Sequence, residues 1–121
     1  MDQDFVPYQE SVELKELSFD ELCLASYETE TNWHITHKPW RNSEDITEIA
    51  SPLYQQAFRW FRDKHGYDVS IVHRTFHKYK FEIQKLTYEG DDYFFTDFSF
   101  QTHNHAELEC LKKLIHIVKN R

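Results

Sequence analysis

The spacing of apolar positions along the chain changes several times, and each change marks a new element. From Pro7 to Leu17, Tyr8, Val12, Leu14 and Leu17 form a loose stripe at helical spacing among acids. Pro7 suits the first helical position, where its missing N–H costs nothing. The run SPLYQQAFRWFRDKHGY, residues 51 to 67, carries a stronger stripe of Leu53, Ala57, Trp60 and Phe61, widened by Tyr54 and Phe58. Gln55, Gln56, Arg59, Arg62 and Asp63 take the opposite side. Ser51 stands at the N-cap, Pro52 at the first helical position, and Gly66 where a left-handed C-terminal residue is wanted. These aromatics therefore read as a buried face. A third helix is expected from about Asn104 to Lys119, with Asn104 and Glu107 as its capping pair. Cys110, Leu111, Leu114, Ile115, Ile117 and Val118 form its stripe.

Between the helices the period falls to two. LCLASYE (22–28) and NWHITHK (32–38) predict two short strands with a turn at Glu28–Thr31. YDVSIVHRT (67–75), KYKFEIQKLTY (78–88) and YFFTDFSF (93–100) predict three more, with Glu89-Gly90-Asp91-Asp92 as a hairpin connection. Residues 41 to 50 are polar and read as a loop. The order α-β-β-α-β-β-β-α, without alternating strands and crossover helices, predicts an α+β fold. Its form would be an antiparallel sheet of about five strands with three helices, one domain over residues 1–121.

Composition agrees with a globular chain: 121 residues, 40% hydrophobic and 17% aromatic, with only two Gly and three Pro. No apolar run approaches the roughly 18 residues of a membrane span, and the acidic N-terminus lacks signal-peptide features. A cytoplasmic location follows as the expectation. Cys23 and Cys110 lie in apolar surroundings and read as reduced core residues. The net charge of −7 is uneven, since residues 1–31 hold nine acids and one base. That balance argues against phosphate binding by the chain as a whole, while leaving room for a local basic face.

LKELSFDELCLASYE, PLYQQAFRWFRDKHG and AELECLKKLI, in that order, resemble a group of short uncharacterised proteins of Bacteroides phages and prophages. The chain departs from that pattern at Ser18, where Gly is usual, and at Leu22, where Pro is common. The resemblance implies a phage or prophage setting in a bacterial host cell and brings no activity or site residues with it. Residues 51–119 are also similar in order to a double-stranded RNA-binding domain, which grips phosphates with lysines at the start of its last helix. Here that place holds Asn104, His105, Glu107 and Glu109, with Lys112 and Lys113 a turn or more later. The order can match while the RNA grip does not.

Candidate chemistry is sparse. Eight His include His34/His37, His73/His77 and His103/His105, but no zinc signature accompanies them. His73, His77 and His103 are the best metal trio on offer, and no metal or cofactor is expected. No nucleophile elbow, phosphate loop or Cys–His signature is present, and an enzyme is not expected. Asp91, Asp92 and Asp97 read as a solvated acidic turn. Twenty aromatics exceed what a core of this size needs, so some are expected at a protein-contact surface. Tyr27, Trp33, Trp40 and Tyr54 are the candidates, and the partner would be a second copy in a homodimer or a host protein. The leading expectation is thus a non-enzymatic interaction module without a membrane segment. The alternative is nucleic-acid binding through Arg59, Arg62, Arg74, Lys78 and Lys80, where bases interleave with aromatics in HRTFHKYKF (73–81).

Overall fold

The computed structural model describes residues 2–44, 46–74, 76, 78–85 and 93–120. The expected hairpin connection at Glu89–Asp92, the last residues of the strand expected over 78–88, and His77 lie outside them, as does the His37 side chain. The chain is α+β and forms two compact units, residues 1–56 and 57–121.

Unit 1 contains α1 (Tyr8–Glu16), β1 (Cys23–Thr29), β2 (Asn32–Trp40) and β3 (Ile49–Ala50) in an antiparallel sheet of order β2-β1-β3. Ser26 faces His34 on β2 and Ala50 on β3, while Tyr27 faces Trp33 and Ile49. Alternation therefore puts Ser26 and His34 on one face and Tyr27 and Trp33 on the other, up to a register shift at Glu28. The second face is covered from within the unit: Tyr8 of α1 meets Tyr27 edge-on at 5.3 Å, and Phe5 lies 5.3 Å from Trp33.

Two polar side chains fix the segment leading into β3. Buried Asn42 donates from Nδ2 to the Phe19 carbonyl (2.8 Å) and accepts at Oδ1 from the Ala50 N–H (2.8 Å). The Lys15 ammonium donates to the carbonyls of Ile46 (3.2 Å) and Glu48 (3.1 Å). This is how a stretch expected to be a loop supplies a strand. A two-residue pairing has no periodicity to read, and its hydrogen bonds come from residues up to 33 positions away.

α2 (Tyr54–His65) crosses the boundary between the units. Ala57, Phe58, Trp60 and Phe61 are buried along it, as their spacing predicts. Its start differs from the expectation. The Ser51 N–H bonds the Ala25 carbonyl and its hydroxyl donates to the Val6 carbonyl (2.9 Å), so Ser51 continues the β3 pairing and does not cap the helix. Gly66 sits at φ +79° as expected, with its N–H returned to the Arg62 carbonyl.

Unit 2 continues with β4 (Asp68–Arg74), β5 (Lys78–Lys85), β6 (Tyr93–Phe100) and α3 (His103–Lys119). The sheet order is β4-β5-β6, antiparallel throughout, with α3 packed against all three strands. The expected single sheet of about five strands is therefore two sheets of three. Facing α3 are Phe81 and Ile83, both buried, with Phe95 and Phe100 stacked on Phe81 at 5.9 and 5.7 Å. The helix contributes Ala106, Cys110, Leu111, Leu114 and Ile115 to this core. It begins two residues before the expected cap, because the Thr102 hydroxyl accepts from the His105 N–H at 3.0 Å.

Two substitutions in unit 1 should act with opposite signs. Asn42→Ala removes one hydrogen bond from the Phe19 carbonyl and one from the buried Ala50 N–H, each worth roughly 0.5–1.5 kcal/mol. Ser18 holds φ +73° directly after α1, a conformation that costs a non-glycine residue about 1 kcal/mol. Ser18→Gly should therefore raise the urea midpoint where Asn42→Ala lowers it. Equal midpoints in wild type and Asn42→Ala would refute the clamp.

Candidate nucleic-acid interface

The face of the β4–β5–β6 sheet turned away from α3 follows from register. Arg74 pairs with Lys78, Val72 with Lys80 and Ser70 with Glu82, so Ser70, Val72, Arg74, Lys78, Lys80 and Glu82 share that face. On β6, Phe94 opposes Gln84, Thr96 opposes Glu82 and Phe98 opposes Lys80, adding two phenylalanines to it. Both are well exposed, Phe94 at 61% and Phe98 at 65%. Sheet faces left to water usually carry polar side chains, so two bare aromatics there need an explanation.

A β-bulge produces the arrangement. The register shifts between Tyr79↔Phe100 and Lys80↔Phe98, leaving Ser99 as the extra residue at φ +85°. Without the bulge, Phe98 and Phe100 would share a face. With it, Phe100 turns in to stack on Phe81 while Phe98 turns out beside Lys80. Phe76, beyond the end of β4, is 89% exposed and held at φ +61°. An aromatic in that region costs of order 1–3 kcal/mol, and such strain concentrates at functional sites.

Arg74, Lys78 and Lys80 together with Phe76, Tyr79 and Phe98 line an open cleft of about 360 Å³. Lys80 is partly neutralised by Glu82 at 2.7 Å. The charge distribution follows the units. Residues 1–56 carry twelve acids and three bases, and residues 57–121 nine acids and eleven bases, with six of the eight His. The cleft thus belongs to the basic part of an acidic chain. No family model, curated protein or solved structure matches this chain.

Of the five basic residues singled out in sequence, the sheet brings Arg74, Lys78 and Lys80 to one cleft. Arg59 and Arg62 are exposed on α2 and do not line it, and Arg62 pairs with Asp63 at 3.3 Å. Sequence reasoning missed Phe76, Phe94 and Phe98. YFFTDFSF is aromatic at both parities, so period two cannot say which Phe faces water, and the bulge resets the phase.

The four aromatics expected at a contact surface lie elsewhere. Tyr54 is 3% exposed and belongs to the core, which removes it from any surface. Tyr27 and Trp33 are half-buried against Tyr8 and Phe5, and the Trp33 indole donates to Ser51 Oγ at 3.3 Å. Trp40 is also half-buried. The His trio fares similarly. His73 stacks on Tyr79 at 4.8 Å, His103 meets the same ring at 5.6 Å, and the His103 Nδ1 approaches Glu107 at 3.3 Å. At the start of α3, where the double-stranded RNA-binding domain places its lysines, Glu107 is buried.

Unit 1 carries a different cluster. Side-chain ligand atoms of Glu28, His34 and Glu48 lie within 4.8 Å of one another on the face that Ser26 shares. Two carboxylates at that spacing repel by about 1–3 kcal/mol in a partly solvated setting. Ser26, fully buried, donates from its hydroxyl to Glu48 Oε2 at 2.9 Å and lies 3.4 Å from His34 Nε2.

The two thiols are chemically quiet. Burial pushes Cys23 up to about 12, helped by the nearby Glu21 charge and opposed by a hydrogen bond with Gln56. Burial, with Glu107 second, raises Cys110 as well. Thiolate is the reactive form, so both should resist a disulfide-exchange reagent at pH 8 in native protein and react promptly in denaturant. Rapid native labelling of either would contradict this burial.

Proposed function

We propose that unit 2 is a non-enzymatic binding module whose open sheet face takes single-stranded nucleic acid. The supporting observation is the pairing of exposed Phe98 with Lys80, flanked by Arg74 and Lys78, on one uncovered face. Bases stack on aromatic rings regardless of sequence, and basic side chains beside the rings neutralise the phosphates between them. Single strands fit better than duplex, whose bases are already stacked and cannot reach the rings. The acidic unit 1 limits non-specific attraction, so affinity would be carried by the cleft itself. The resemblance to phage and prophage proteins suggests bacterial cytoplasm as the setting. Among the described residues no helix is long and apolar enough to cross a membrane.

Fluorescence anisotropy with labelled oligo(dT) and oligo(U) tests the reading. Three phosphate contacts on a single strand give a log–log salt slope of about −2, so affinity should fall roughly 20-fold between 50 and 200 mM salt. Phe98→Ala should cost about 1–3 kcal/mol without changing that slope. Lys78→Ala should reduce the slope by about 0.7. Absence of binding at low salt, or an unchanged affinity in Phe98→Ala, would sink the proposal. A Phe98→Ala variant that loses self-association and keeps oligonucleotide affinity would turn the same face into a protein contact.

A further inference from the structure

The Glu28–His34–Glu48 cluster lies in the other unit and plays no part in the nucleic-acid reading. Three separate pieces of chain build it. Glu28 comes from β1, two residues past Ser26, where the pairing with β2 shifts register and its carboxylate reaches the cluster. His34 comes from β2, directly opposite Ser26. Glu48 immediately precedes β3, with its backbone carbonyl held by Lys15 and the following strand held by Asn42. Nothing in sequence spacing announces it, since its members are 6 and 14 residues apart and meet only through the pairing of β1 with β2 and the held segment before β3.

Each side chain is set in place by a neighbour. The Asn32 amide donates to Glu28 Oε2 at 3.0 Å, and the buried Ser26 hydroxyl donates to Glu48 Oε2 at 2.9 Å. A carboxylate oxygen of each Glu and a ring nitrogen of His34 lie within 4.8 Å of one another. Hydrogen-bonded carboxylates that hold a metal are oriented by second partners of this kind. A cation shared among the three would offset the repulsion between the two carboxylates.

We propose that Glu28, His34 and Glu48 form a binding site for a divalent cation of the zinc class. One nitrogen and two carboxylate ligands suit Zn²⁺ and its first-row neighbours, whereas Mg²⁺ and Ca²⁺ take all-oxygen shells. Ligands on a tetrahedral zinc at about 2.0–2.1 Å lie roughly 3.4 Å apart, so the present spacing closes with small side-chain rotations. Glu28 is exposed and His34 and Glu48 are half-buried, which leaves them that freedom. Three protein ligands leave at least one coordination position for water or another ligand.

The test is titration of the full chain with Zn²⁺, and separately with Co²⁺ followed by its visible absorption. Wild type should bind one ion per chain with an imidazole–carboxylate cobalt spectrum. His34→Gln, Glu28→Gln and Glu48→Gln are near-isosteric, and the two Glu changes preserve an acceptor for Asn32 and Ser26. Each should weaken this stoichiometric site at least tenfold and abolish the cobalt band, with unchanged circular dichroism. Ser26→Ala, removing the orienting hydroxyl, should weaken it about 10–100-fold. His73→Gln and His103→Gln should leave it intact. No stoichiometric site in wild type, or one that survives His34→Gln and disappears in His73→Gln, overturns the assignment. Oligonucleotide binding is measured alongside, and its success or failure does not bear on these outcomes.

Discussion

A three-stranded antiparallel sheet has two faces, and in unit 2 α3 packs against all three strands. Everything distinctive about that unit follows from this constraint. The face toward α3 is stacked, with Phe95 and Phe100 on the buried Phe81 ring and Lys113 over the Phe95 ring at 4.3 Å. The opposite face meets solvent, and alternation sends every second side chain of three strands onto it. A sheet face built only for solubility would carry charges and hydroxyls. This one carries Arg74, Lys78 and Lys80 interleaved with Phe94 and Phe98, a combination that hydrophobic burial does not produce and charge solvation does not require.

Unit 1 solves a different problem. Its third strand is two residues long, too short to hold its place by pairing alone, and it is fixed by long-range polar contacts. Asn42 substitutes a side-chain amide for missing backbone partners, and Lys15 does the same with its ammonium. Those contacts also set where Glu48 stands, so the same bonds that hold the fold also place the polar cluster across from Ser26. Stability and site geometry are therefore coupled in this unit. In unit 2 the cleft sits on the outside of a core that does not need it.

Much of the architecture was legible from periodicity. The three helices, five of the six strands and the buried stripe of α2 follow from spacings of 3.6 and 2, because burial on one side imposes those spacings whatever the partner. Gly66 was legible for a local reason, as its φ of +79° demands little of the rest of the chain. Arg74, Lys78 and Lys80 were legible as a set, since strand alternation alone puts them on a common face. Tyr54 was misjudged as a surface residue because a count of aromatics carries no information about which of them the fold covers.

The remainder depended on tertiary structure. Ser51 has the composition of a helix cap, yet its N–H and hydroxyl are taken by Ala25 and Val6, and only three-dimensional proximity decides that competition. Phe94 and Phe98 are indistinguishable in sequence from their inward neighbours until pairing with β5 and the bulge at Ser99 set the phase. Glu28, His34 and Glu48 have no common spacing at all and meet where β1, β2 and the segment before β3 come together. The sequence by itself therefore determined the α+β class, the helices, most strands and the basic face, because each rests on local backbone geometry and one-sided burial. Tertiary structure alone decided the division into two sheets, the aromatics beside the basic face and the convergence of the polar cluster, because each depends on hydrogen bonds between residues far apart in the chain.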